Sequence, residues 1–407
     1  MINNKTKLNM SDFFRSKREM IKKVNVVVGS FFTQFIIVGM LFTYGVLMTE
    51  LEKEFGWSRT ILSSIGAAGW LAWGILAIPG GYLNDRLGPR IVLSVNGFIF
   101  GIGFILFSLS NEVWHLFLIF FFFIGVGLST HDISTLSTIA KWFDSKRGLM
   151  TSVAKIGTAM GQMIMPPLIA FLIISFGWRT ATFYLGIAAS IGLVLAASII
   201  TAPKSSGKTP IDAKTSFELL DKKVFSLLAF CQFCIFFTMF TTMTHIAAHG
   251  LNVGLSLEES ALLLSIIGFS SIFGRLSIGV LADRLGGKKT YIICLCPMTF
   301  ALFTIPFTEN IYFIYVLLCL YGFSHGGHFT IAPFIIAENF GLKNIGAVFG
   351  KITFFGAIGS VSGPIVAGAI FDLTQSYYYA FLLVGILALI CIFSLVYLPN
   401  ESKEIKA

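Results

Sequence analysis

Apolar residues gather in runs of about 20 or more, broken by short polar turns. The runs lie near 25–48, 59–83, 91–109, 113–140, 149–174 and 180–202, then near 224–248, 257–282, 290–307, 311–338, 344–371 and 377–398. At about 1.5 Å of rise per residue, each is long enough to cross a hydrocarbon layer as a helix. Open strands are excluded, because their backbone groups would stay unpaired in lipid. A polar stretch at 203–223, rich in Lys, Ser, Gly, Asp and Thr, splits the runs six and six. The pattern predicts an all-α membrane protein with twelve transmembrane helices in two pseudo-symmetric six-helix bundles. The bundles are 25–202 and 224–398, joined by the linker 203–223 and flanked by cytoplasmic tails at 1–24 and 399–407. The first run is too long for a signal-peptide core and ends in no Ala-x-Ala-like site, so it is expected to remain as a helix.

Composition fits lipid as the solvent. Of 407 residues, 56% are hydrophobic and 12% are charged, about half the charged share of a soluble domain. The net charge of +9 does not point to nucleic acid, because the basic residues sit in short clusters between apolar runs. With the N-terminus in the cytoplasm, the two tails, the linker and the even-numbered loops hold 23 of the 29 basic residues. The positive-inside rule then puts both termini on the cytoplasmic side of the inner or plasma membrane.

An internal repeat follows. Gly81, Asp85, Arg86 and Gly88 recur as Gly279, Asp283, Arg284 and Gly286; Gly148, Gly161 and Pro166 recur as Gly346, Gly359 and Pro364. All seven pairs are 198 residues apart. One offset in two regions means two halves of equal architecture in parallel orientation, with a binding site expected at the midplane between them. Asp85, Arg86 and Arg90, with Asp283 and Arg284, flank tight cytoplasmic turns. An Asp there can accept hydrogen bonds from a neighbouring helix N-terminus, and the Arg residues can bridge to the other half, forming a cytoplasmic gate. The plainer alternative is that these charges only fix topology.

Gly81-x-Leu83-x-Asp85-Arg86-x-Gly88 and Gly279-x-Leu281-x-Asp283-Arg284-x-Gly286-x-Lys288 resemble the signature of major facilitator superfamily transporters. Further segments resemble the monocarboxylate transporter and oxalate–formate antiporter branch. They are Glu54 to Arg59, Lys141 to Leu149, Phe176 to Arg179, and Gly363-Pro364 with Gly368, Phe371 and Asp372. The resemblance implies alternating access, driven by gradients, with no enzyme activity.

Ionisable groups at bilayer depth are functional candidates, since burying them is costly unless they are paired or hydrated. Counted along the helices from their cytoplasmic ends, Asp132, Lys155, Arg275 and Lys351 share one depth. Asp132 and Lys155 lie on consecutive helices and are read either as a structural ion pair or, for Asp132, as a proton-coupling group. Arg275 and Lys351 have no acidic residue of the second half at their depth, so they are read as a substrate-binding pair for a small organic anion, a mono- or dicarboxylate. The alternative for Lys351 is a side chain that snorkels to the cytoplasm. The resemblance implies an Arg on the eighth helix that anchors the substrate carboxylate, matching Arg275, and a Lys on the eleventh, for which Lys351 is the candidate. Where proton-coupled monocarboxylate transporters carry an Asp one turn before that Arg, this chain has Ser271, so anion exchange or a proton relay through His stands beside proton symport.

His325 and His328, three apart on the tenth helix, are candidates for lining the substrate cavity and for proton coupling. His245 and His249 pair similarly on the seventh. His131 is expected to point away from Asp132, and Phe354 and Phe355 toward the cavity. Neither a metal nor a cofactor is expected: no third ligand accompanies the His pairs, and Cys231-x-x-Cys234 lacks a partner pair. Gly207-Lys208-Thr209 is no phosphate loop, as the first glycine of that motif would fall at Ala202. The expected partners are the organic anion, a proton or counter-anion and the bilayer, with the chain acting as a monomer. The rival functions are a multidrug or siderophore exporter of the same fold and a non-transporting membrane sensor, for which the short tails leave little room.

Overall fold

The structure, a computed structural model, describes residues 10–143, 147–202, 221–340 and 345–399. Twelve long helices account for nearly all of them. The first half holds α1 (Met10–Phe42, resuming after Thr43 as Tyr44–Phe55), α2 (Arg59–Leu87), α3 (Pro89–Ser108), α4 (Val113–Trp142), α5 (Arg147–Phe176) and α6 (Trp178–Ser198). The second holds α7 (Lys222–Asn252), α8 (Leu257–Leu285), α9 (Gly287–Thr304), α10 (Ile311–Phe340), α11 (Ile345–Thr374) and α12 (Tyr378–Val396). Most of the linker assigned to 203–223 and of the tail assigned to 399–407 lies outside the described residues.

Helix α1 begins at Met10, ahead of the apolar run. Its first turns carry exposed Lys17, Arg18 and Lys22, and burial starts at Val26 and Val27. Backbone hydrogen bonding thus carries the helix beyond its apolar stretch. The two repeated motifs make matching turns. Gly88 (φ 83°) separates α2 from α3, and Gly286 (φ 79°) separates α8 from α9. A left-handed φ suits glycine because no Cβ meets the following carbonyl, which explains a glycine at the same place in both copies.

Packing repeats as the sequence does. Contacts of α1 with α5, α2 with α4 and α3 with α6 are matched by α7 with α11, α8 with α10 and α9 with α12. The halves meet mainly through α2 against α11 and α5 against α8. Large apolar side chains such as Ile78, Phe171, Leu195, Phe300 and Phe393 face outward, as a surface meant for lipid requires.

Among the described residues, eleven helices are long and apolar enough to cross a membrane. Helix α10 is not among them, although it has 30 residues. Its middle carries Ser324, His325, Gly326, Gly327 and His328, all buried. The polar group sits inside the protein at the depth where lipid would be least forgiving.

One end of the bundle carries the α2–α3, α4–α5, α8–α9 and α10–α11 connections and is called the basic end; the other is the far end. Among the described residues, every hydrogen bond between the halves lies at mid-depth or toward the far end. None of these bonds joins the halves at the basic end.

Candidate functional site

Arg275 reaches the interface because α8 and α10 approach closely. At Gly274 an added Cβ would fall on the Phe323 carbonyl, and at Gly326 on that of Ser271. Only glycine permits this contact. It sets the Arg275 guanidinium 5.1 Å from the Phe329 ring centroid, and Thr330 Oγ1 donates to the Arg275 carbonyl at 3.3 Å. Nε and Nη2 of Arg275 are buried with no hydrogen-bond partner. A buried donor without an acceptor costs about 1–3 kcal/mol, and more when charged, so the pair of nitrogens calls for an acceptor from outside the protein. Asp132, on the opposite half, is the acidic group whose charge acts on Arg275.

His325 and His328 both lie near Arg275 but have different surroundings. His325 stacks against Tyr321 (6.1 Å) and meets Phe329 edge-on (5.4 Å), and its Nδ1 has no partner. His328 Nδ1 is held 2.8 Å from the Tyr291 hydroxyl, and its ring packs on Phe236.

The structure brings Asp132 and Lys155 together. Lys155 Nζ lies 2.5 Å from Asp132 Oδ1, and Gln34 Nε2 of α1 donates to the same oxygen at 2.7 Å. Gln34 also bonds Thr135 and Thr158, joining α1, α4 and α5. Gln34, fully buried, was not a sequence candidate; its signal is an amide inside an otherwise apolar first span. His131 departs from expectation. Its Nε2 lies 3.6 Å from Asp132 Oδ1, while Nδ1 donates to the Leu128 carbonyl at 2.6 Å. The imidazole is long enough to bend back along its own helix, which adjacency alone does not reveal.

Lys351 is exposed and makes no contact with the Arg275 guanidinium. It lies on the exposed side of α11 with Phe354 and Ile358, beside Phe225 and Phe355 in an open recess of about 570 Å³. The buried side of α11, through Ile352, Gly356, Ser360 and Phe371, faces the other way. No contact brings Lys351 to Arg275, and Phe354, in the same recess, is 63% exposed. At the basic end, Asp85 Oδ1 meets Lys141 Nζ at 3.3 Å within the first half. Arg86, Arg90, Asp283 and Arg284 make no ion pair with a described residue.

The tightest contact between the halves is at the far end. Asp372 on α11 accepts from the Arg59 and Thr60 amides at the N-terminus of α2, both at 2.9 Å, and from the Thr60 hydroxyl. The Arg59 side chain bonds Glu52 at 2.9 Å and lies 3.6 Å over the Phe371 ring. Gly368 packs against the Arg59 backbone, where a Cβ would collide. Below it, His245 on α7 donates from Nε2 to the Pro364 carbonyl at 2.9 Å, with Ser63 of α2 at 3.2 Å. Its Nδ1 therefore accepts from the Tyr377 hydroxyl at 2.9 Å. Burial pushes the Tyr377 hydroxyl well above its ordinary pKa, so it stays a neutral donor. His249 packs against Phe381 and Tyr377, with both ring nitrogens buried and without partners.

Two matched bundles, closed at one end over buried polar groups at mid-depth, have counterparts among known proteins. The fold is similar to a crystal structure of a bacterial homolog to the human lysosomal transporter Spinster, in an inward-facing and unoccupied conformation. The TM-score is 0.75 at 14% identity, covering 92% of this chain and 96% of that one. In sequence the chain is 25% identical to monocarboxylate transporter 13 of Rattus norvegicus, over 88% of this chain and 85% of that protein. It is 27% identical to an agnestins efflux protein of Paecilomyces divaricatus, over 84% of this chain and 80% of that protein. The model of the Major Facilitator Superfamily matches residues 30–279 and 228–407. With nearly the whole chain covered by that match and by the repeat of its motif, this is a multi-pass membrane transporter, not an enzyme, and it belongs to the Major Facilitator Superfamily.

Proposed function

We propose that the chain carries a small organic anion, a carboxylate, across the cytoplasmic membrane by alternating access. The observation that carries this is the buried guanidinium of Arg275, with Nε and Nη2 lacking partners at mid-depth between the halves. A carboxylate offers two acceptor oxygens in the plane of that fork. Relatives named as monocarboxylate transporters support the choice. Lys351 is left out of the site because it makes no contact with Arg275. His325, with an open Nδ1 beside Arg275, takes the place of second polar contact; His328 supports it through Tyr291. Asp132 is the coupling group, for a proton or through exchange with a counter-anion, and it faces Lys155, His131, Gln34 and Arg275. The far-end contact of Asp372 with α2 is one gate. Asp85, Arg86, Arg90, Asp283 and Arg284 form the other when the basic end closes. Both termini lie in the cytoplasm, and the monomer is the working unit.

Export of a bulkier organic compound is the second reading, favoured by the likeness to fungal efflux proteins at the same level of identity. One experiment separates the two. Proteoliposomes holding the purified chain are given labelled carboxylates, with and without a proton gradient and with counter-anion inside. Uptake that disappears in Arg275→Gln, at normal protein level, is the expected result. Well-folded protein that moves no carboxylate in either direction sinks the anion reading and leaves the exporter.

A further inference from the structure

We infer that the carboxylate carried is a monoanion with a flat aromatic body, held by an aromatic row that runs from Arg275 across the interface between the halves. This rests on the anion reading above and specifies its substrate class.

Two observations carry it. The first is charge. At mid-depth the Asp132 carboxylate already has the Lys155 ammonium at 2.5 Å, so that pair is neutral. Lys351 makes no contact with Arg275, whose Nε and Nη2 have no partner, and lines a recess with Phe225, Phe354 and Phe355. The site then presents the single charge of Arg275, which balances one carboxylate. A dicarboxylate would bring a second charge to a place with no second cation aimed at it, and desolvating that charge opposes binding.

The second is the ring row. Phe329 lies under the Arg275 guanidinium. Phe236 lies 6.4 Å from Phe329, Phe240 5.4 Å from Phe236, and Trp70 4.3 Å from Phe240. Trp73 continues the row 6.0 Å beyond Trp70. The first three rings belong to α7 and α10 of the second half, and both tryptophans to α2 of the first, so the row spans the two moving parts. Phe240 and Trp70 are only part-buried, leaving ring surface uncovered. Together with Phe42, Phe120 and Met243 they line a small, partly open cavity of about 40 Å³. Uncovered aromatic faces in line with a cation suit a planar apolar body carrying a carboxylate at one end, with stacked and edge-on contacts along the body.

The test is isothermal titration calorimetry on the purified full-length chain in detergent, with acetate, pyruvate, succinate, phenylpyruvate and indole-3-acetate. Both aryl acids are expected to bind roughly ten-fold tighter than pyruvate, the size of one good aromatic contact, and succinate no tighter than pyruvate. Trp70→Leu and Phe240→Leu should bring the aryl acids to within about two-fold of pyruvate; Trp70→Phe should restore most of the preference and show that loss reflects the ring rather than misfolding. Aryl acids that bind no tighter than pyruvate, or a preference that survives both leucine variants, overturn the inference and leave the anion reading standing. Failure of every carboxylate to bind overturns both.

Discussion

At the scale of single residues, the Asp132–Lys155 pair makes the sharpest prediction. Asp132 is 37% exposed and Lys155 22%, so water screens the pair and its loss should cost less than that of a fully buried bridge. Asp132→Leu alone leaves the ammonium without its carboxylate. It should destabilise the protein by about 2 kcal/mol, read as a lower melting temperature in detergent. Adding Lys155→Met should recover most of the loss, because the remaining side chains are apolar and of similar volume. If the double variant melts as low as the single, pairing is not what the two residues share. Transport by a stable double variant then shows whether Asp132 also couples the cycle. These residues also mark what was legible in the sequence. Counting along helices placed Asp132, Lys155, Arg275 and Lys351 at one depth. It could not fix rotation about the helix axis, because that depends on which side the small residues bury. On α11, Gly356, Gly359 and Gly363 pack against α7, and Lys351 lies on the exposed side; on α8, Gly274 and Ser271 face α10 and bring Arg275 in.

Among elements, the N-terminus of α2 and the end of α11 form one device. The first amides of a helix lack partners within it and carry partial positive charge. Here a carboxylate from the other half satisfies two of them. Asp372→Asn keeps the shape but removes the charge, and a charge-assisted hydrogen bond contributes about 1.5–3 kcal/mol. We expect roughly ten-fold faster thiol labelling of a cysteine placed at Ser63, from the far side, in that variant; unchanged labelling would mean that this contact does not hold the end closed. Sequence patterns could not reveal the device. Arg59 read as an outer-loop charge and Asp372 as part of a familiar segment. Neither periodicity nor spacing joins residues 59 and 372, and the bond to α2 uses backbone amides that any sequence supplies. The π-helical turn at Phe120–Ile124 in α4 was equally hidden, since the apolar pattern runs through it unbroken.

At the scale of the whole molecule, the constant offset of 198 residues made the two halves and their parallel orientation readable before any coordinates, and the equivalent helix pairings follow it. Which end holds the bonds between the halves was not readable. One sequence must serve both arrangements, and the repeated motif residues at the basic end carry the same letters whether engaged or not.

The polar middle of α10 has a consequence for how the protein is made. A segment leaving the ribosome partitions into the bilayer according to its summed transfer free energy, and this one is burdened by two histidines and three glycines. Cut out and placed between reporter domains, α10 should insert less completely than α12, and replacing both histidines with leucine should bring it level; equal insertion of the native segment would remove the point. In the full chain its entry then waits on neighbours already in the membrane. Helix α8 offers the glycine-lined contact and α9 the Tyr291 hydroxyl, and both are synthesised first. The residues that equip this helix for its cargo therefore make its own birth a cooperative event, and a translation product that stopped after α10 would be held together by the helices just before it.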